Sequence, residues 1–95
     1  MPAYLIADVD VTDPTRYAEY RQRVPATVAA YGGRFLVRGG AHEVLEGNWE
    51  PHRVVVLEFP SLEQARRWYE SEEYREPKAI RIAASRTNAI IVEGV

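Results

Sequence analysis

Strict alternation opens the chain. Ala3, Leu5, Ala7, Val9 and Val11 interleave with Tyr4, Ile6, Asp8 and Asp10. A period of two sends these sets to opposite sides of a strand, predicted over Ala3–Val11 with one oily and one mixed face. Thr12-Asp13-Pro14 then starts a helix, with Asp13 as N-cap and Pro14 in the first helical position. Tyr17, Tyr20, Val24, Val28 and Tyr31 recur at helical spacing and define its buried face. Pro25 falls inside that pattern. It lacks an amide donor and crowds the preceding turn, which predicts a kink or two abutting helices near Val24. Gly32-Gly33 ends the helix, because glycine accepts a left-handed C-terminal conformation.

The stretch Tyr31–Phe59 reads as a long β-hairpin with one charge in each apolar strand. Arg34–Arg38 is the first of these strands, and Gly39-Gly40 marks a bulge or bend. Ala41–Glu46 can extend the strand, and Gly47–Pro51 is rich in turn residues. Arg53–Phe59 carries four consecutive apolar residues, which predicts a central strand. Ser61-Leu-Glu-Gln64 has capping-box spacing. A second helix follows from Leu62 to Glu70, burying Leu62, Ala65 and Tyr69 with Trp68 at the margin. Glu76-Pro77 suggests a fresh start for a short third helix, Lys78–Ser85. Asn88–Val95 closes as a strand, with Asn88, Ile90 and Val92 on one side and Ala89 and Ile91 on the other.

The order is therefore β-α-β-β-α-(α)-β, an α+β ferredoxin-like protomer with a four-stranded antiparallel sheet. Helices can cover only one face of that sheet. The other face would carry Ile6, Leu36, Val54, Val56, Ile90 and Val92. An apolar face of that size is an association surface, and a twofold homodimer is the commonest way to bury it.

Composition adds bounds. Residues 1–95 are read as one small domain, 46% hydrophobic and 27% charged, as in ordinary soluble globules. Cysteine is absent, which excludes disulfides and thiolate metal sites. A net charge of −2 argues against nucleic-acid and anionic-membrane surfaces. No apolar run is long enough for a membrane span, and no signal peptide is visible, so a cytoplasmic setting is expected. Arginine accounts for eleven of the 12 Lys and Arg residues, Lys78 being the exception.

Several stretches share a family look: Met-Pro-Ala-Tyr at the start, Tyr-Gly-Gly-Arg-Phe-Leu-Val-Arg-Gly-Gly at 31–40 and Glu-Val-Leu-Glu-Gly-Asn-Trp at 43–49. Val-Leu-Glu-Phe-Pro-Ser at 56–61, Trp-Tyr at 68–69 and Glu-Tyr at 73–74 belong with them. The chain resembles the family catalogued as domain of unknown function 1330, a branch of the dimeric α/β-barrel superfamily. The resemblance implies ferredoxin-like protomers whose sheets pair into a barrel-like dimer and implies no established activity. Related branches include quinol and haem-degrading monooxygenases, lactone isomerases and stress-induced proteins, so fold alone is a weak guide to chemistry. Haem-degrading relatives hold iron through a helical histidine, and Ser61–Ser85 contains none.

Candidate chemistry centres on Arg38 and Glu58, which the alternation places together on the dimer side with Tyr4 and Asp8. They form either a buried ion pair that fixes register or a polar patch in an apolar cavity. In the second case Arg38 grips a carboxylate, and Glu58 or Asp8 moves a proton. Tyr17, Tyr20, Tyr31, Trp68 and Tyr69 are core residues or the wall of a pocket between helices and sheet. Arg81 and Asn88 are further candidates for cavity polarity. The resulting ligand-binding set is Tyr4, Tyr20, Arg38, Trp68, Arg81 and Asn88, for a cofactor-independent enzyme or binder of a small, partly apolar acid or quinone-like molecule. The alternative is a non-catalytic homodimeric module with structural charges. His42 and His52 are expected to be solvated, and no metal site is expected. If Met1 is removed, Pro2 would open the chain as a secondary amine, the arrangement of a proline-dependent tautomerase.

Overall fold

The computed structural model describes residues 1–95. Its elements are β1 (Ala3–Val11), α1 (Pro14–Ala30), β2 (Arg34–Arg38), β3 (Arg53–Phe59), α2 (Leu62–Tyr69), α3 (Glu72–Ala84) and β4 (Ser85–Glu93). The four strands form one antiparallel sheet in the order β2-β3-β1-β4, and three helices pack on one side of it. This is the ferredoxin-like fold expected from the sequence. Ala3, Leu5, Ala7 and Val9 of β1 are buried, as their alternation predicts, under Tyr17, Tyr20, Val24 and Val28 of α1. No helix is long and apolar enough to cross a membrane.

Helix α1 begins as the sequence dictates: the Asp13 carboxylate accepts from the Arg16 amide at 3.2 Å. At its other end Gly32 has a φ of 75°. The amides of Gly32 and Gly33 donate to Ala29 and Val28 carbonyls at 3.0 Å each, the paired bonds of a Schellman ending. Between these ends α1 is one helix across Pro25, not two. Val24, Thr27 and Val28 are buried around the proline, and this packing carries the helix past one missing bond.

Helix α3 starts earlier than Glu76-Pro77 suggested. The Ser71 hydroxyl caps it, accepting from the Tyr74 amide at 3.2 Å, and Pro77 lies buried inside the helix. The early start alters α2 as well. Trp68 is 1% exposed and Tyr69 37%, the reverse of the expected arrangement. The Trp68 ring stacks on Tyr74 at 4.0 Å and its indole N–H donates to the Thr27 hydroxyl at 3.0 Å, so α1 and α3 both close over it. Strand β4 starts at Ser85, three residues before Asn88.

The largest departure lies in β2. Its pairing with β3 slips between Phe35 and Val37, so that Phe35 faces Leu57 and Arg38 faces Val55. One extra residue, Leu36, turns everything after it over. Arg38 thereby joins Phe35 on the helix side, while Arg34 and Val37 lie on the open side. The bulge is therefore at Leu36 and not at Gly39-Gly40. Residues 39–52 form an irregular, mostly exposed arm, so Ala41–Glu46 do not extend the strand. On the open side Ile6, Val54 and Val56 are half-buried, and Val37, Ile90 and Val92 are exposed, at 39%, 60% and 42%.

Candidate functional site

A narrow cleft, open to solvent at its mouth, lies between the helices and the sheet. Its floor is apolar, formed by Leu5, Ala7, Val9, Val55 and Leu57 of β1 and β3. Helix α1 contributes Tyr17, Tyr20, Arg21 and Val24, and α2 and α3 contribute Trp68, Tyr69, Tyr74 and Arg81. Phe35, Arg38 and Arg53 close the side formed by the hairpin.

The aromatic groups are arranged in a ladder. Tyr17 and Tyr20 centroids are 5.3 Å apart, Tyr20 and Tyr74 6.3 Å, and Trp68 stacks beyond them. The Tyr20 and Tyr74 hydroxyls meet at 2.9 Å, and the Arg81 Nε donates to the Tyr74 hydroxyl at 3.3 Å. Burial pushes both phenols above the ordinary tyrosine value; the contact with Tyr74 raises Tyr20 further, while Arg81 partly offsets the shift at Tyr74. At neutral pH both hydroxyls are protonated, one donating to the other, and neither is a base.

Arginines supply the charge. Arg38 lies over the Phe35 ring at 4.5 Å and donates through Nη2 to the Arg21 carbonyl at 2.7 Å. Arg53 lies 5.8 Å from the Tyr17 centroid, and its buried Nε has no hydrogen-bond partner. Gly39, at φ 72°, makes room for it: a Cβ there would lie 2.2 Å from Arg53 Nη1. The arginines that form ion pairs are Arg23, Arg34, Arg67 and Arg75, all outside the cleft. Arg21, Arg38, Arg53 and Arg81 have no carboxylate within 4.0 Å, and no Asp, Glu or His lines the cleft.

The sequence candidates thus divide between two sides of the sheet. Tyr20, Arg38, Trp68 and Arg81 meet in the cleft. Tyr4, Asp8, Glu58 and Asn88 lie on the open side, where Tyr4 pairs with Glu58 and Asp8 with Asn88 across β1. The expected Arg38–Glu58 pair does not form, because the bulge moves Arg38 away. Glu58 instead accepts from Arg34 Nε at 2.7 Å. The Asp8 carboxylate holds the arm down, accepting from Trp49 Nε1 at 2.9 Å and from the His52 amide at 2.8 Å. Partial burial opposes its ionisation, but these two hydrogen bonds, together with the nearby His52 and His42, hold Asp8 below its usual value. His52, 55% exposed, also stands 3.7 Å from Asp8 and 3.8 Å from Asp10. A groove beside Trp49 on this side is lined by Ile6, Asp8, Asn88 and Ile90. Pro2 lies outside the cleft, with its carbonyl accepting from the Gly94 amide at 2.7 Å.

The sequence reading did not single out Tyr74, Arg53 or Arg21. Ser71, spaced three residues before Tyr74 as a helix cap, was the available signal for Tyr74. Arg53 and Arg21 become legible only once the bulge and the helix packing are known.

Comparison with known proteins gives the lineage. The model for domain of unknown function DUF1330 matches residues 2–95. The chain belongs to the DUF1330 family. No curated protein matches it. Among solved structures, the family member is similar to RPA0582 of Rhodopseudomonas palustris, a protein of unknown function. That pair is 20% identical with a TM-score of 0.81, over 99% of this chain and 82% of that one. A dimeric ferredoxin-like protein of unknown function from Jannaschia sp. CCS1 aligns at 12% identity and a TM-score of 0.73, over 99% and 100%. SnoaB, a cofactor-independent oxygenase from Streptomyces nogalater, aligns at 14% identity and a TM-score of 0.67, over 99% and 93%. At these identities the likeness establishes the shared fold alone.

Proposed function

We propose that this protein binds a small organic acid with an apolar, preferably aromatic, body in the helix-side cleft, acting as a homodimer joined through the open sheet face. One observation carries the binding reading: four arginines line an apolar, aromatic cleft that contains no carboxylate, Arg21 and Arg38 at its exposed rim and Arg53 and Arg81 half-buried. Withdrawing Arg53 and Arg81 from water without counter-charges is unfavourable unless a ligand supplies them, and the buried Arg53 Nε has no partner in the protein. Arginine suits the task, since its planar fork matches a carboxylate and stays charged. The hydrogen-bonded Tyr20–Tyr74 pair keeps one hydroxyl proton free as a neutral donor near Arg81, and the aromatic ladder suits a flat apolar body.

Binding comes before catalysis in this reading. The cleft holds no His, Asp, Glu or Cys, and its central phenols ionise only at high pH. A reaction there would depend on an ionisation that the bound molecule brings itself. SnoaB is named as a cofactor-independent oxygenase, and a cleft without a base of its own is compatible with chemistry of that general kind. The dimer reading draws on the exposed apolar face and on dimeric relatives of the same fold.

Calorimetric titration with benzoate, naphthoate and benzylamine tests the binding reading. The two acids bind, naphthoate more tightly, and the cation of similar shape does not. Equal affinity for benzylamine, or no binding of either acid, overturns it.

A further inference from the structure

Pro25 stands four residues after Arg21 within α1. In an unbroken helix the amide of residue 25 would donate to the Arg21 carbonyl. Proline has no amide hydrogen, and its ring pushes the carbonyl of residue i−4 outward from the helix axis. The Arg21 carbonyl is therefore both without its helical donor and tilted away from the axis. Arg38 of β2 occupies it, donating through Nη2 at 2.7 Å. Nothing else in the protein accepts a hydrogen bond from the Arg38 side chain, so its remaining N–H groups are unused.

We infer that Pro25 is a positioning residue, which by vacating the Arg21 carbonyl anchors the Arg38 guanidinium over the mouth of the cleft. The inference rests on the anion-binding reading of that cleft for its functional meaning, but not for its geometry. Two sequence features that each break a local rule act together here. The bulge at Leu36 turns Arg38 to the helix side, and the helix proline supplies the acceptor that receives it. A free arginine has many rotamers to lose when it grips a ligand. One already held through a single N–H and a Phe35 ring has fewer, which favours affinity through preorganisation.

The test is Pro25→Ala, which restores the amide and lets the Arg21 carbonyl return to the helix ladder. The primary measurement is the nitrogen–proton spectrum of the Arg38 guanidinium in the free protein, where a held guanidinium rotates slowly and shows resolved Nη protons. Resolved signals in the wild type that merge into one average signal in Pro25→Ala support the inference. An average signal already in the wild type, or resolved signals that persist in the variant, overturn it. Pro25→Ser, which also restores the amide, gives the same result if the carbonyl is the cause. As a second arm, benzoate binds Pro25→Ala about three- to tenfold more weakly, the worth of about one hydrogen bond, and shows no such loss in an Arg38→Met background. If benzoate does not bind the wild type at all, the binding reading fails, and the spectrum still decides the role of Pro25.

Discussion

Tyr20 and Tyr74 touch hydroxyl to hydroxyl, 2.9 Å apart, although 54 residues separate them in the chain. The contact joins α1 to α3 at the centre of the cleft, and both phenols are buried. Each ionises at a higher pH in the folded than in the unfolded protein. The unfolded chain therefore releases these protons first, and stability falls as pH rises above the ordinary tyrosine value of about 10. Chemical denaturation between neutral and strongly alkaline pH shows this decline, and Tyr20→Phe makes it shallower. At neutral pH the same variant loses about 1 kcal/mol for the missing hydrogen bond.

Arg34 and Arg38 lie on one short strand and have different roles. The Arg34–Glu58 bridge is largely exposed at its arginine end, so Arg34→Met changes stability by less than about 1 kcal/mol. It also leaves benzoate affinity unchanged. Arg38→Met weakens benzoate binding with little change in unfolding midpoint. Urea denaturation and calorimetry on both variants check the contrast.

Asp8 fastens the arm formed by residues 39–52. Its carboxylate accepts two hydrogen bonds from that arm, and its pKa is depressed on folding. The resulting stabilisation is present above the unfolded carboxylate value of about 3.9 and is lost as pH falls through the lower folded value. Exchange of the His52 amide, taken relative to its intrinsic rate at each pH, is therefore protected at neutral pH and loses that protection only in strong acid. Asp8→Asn accelerates it at neutral pH, because a carboxamide presents one acceptor oxygen where the carboxylate presents two.

Gly39 combines a φ of 72° with the Arg53 guanidinium in the space a side chain would fill. Gly39→Ala is expected to destabilise by about 1–2 kcal/mol and to displace Arg53. Thermal unfolding reads the first effect, and weaker benzoate binding reads the second.

The open face gives a prediction about assembly. Sedimentation of the wild type gives a dimer at micromolar concentration, and Ile90→Glu gives a folded monomer, because a charge is placed on the exposed apolar face.

Much of this architecture was legible because it rests on local rules. The alternation of β1, the Asp13-Pro14 and Ser61 helix starts and the Gly32-Gly33 ending each follow from spacing and backbone chemistry, and each is present. The site was half legible. Tyr20, Trp68, Arg38 and Arg81 were named and do converge, but Arg38 was placed on the opposite face with Glu58. A bulge adds one residue without any composition signal of its own, and the two glycines at 39–40 offered a more conspicuous place for it. The burial of Trp68 was missed for a related reason. It depends on α3 beginning at Ser71, and Pro77 drew the predicted start several residues too late.

Where an aromatic acid sits decides between the cleft and the open face. Amide and side-chain chemical-shift mapping with benzoate separates the two sides of the sheet in one experiment. The predicted result is saturable perturbation of Tyr20, Tyr74, Arg38, Arg53 and Arg81, with Asp8, Trp49 and Asn88 unchanged. Perturbation confined to Asp8, Trp49, Asn88 and Ile90 would contradict it and move the ligand to the open face.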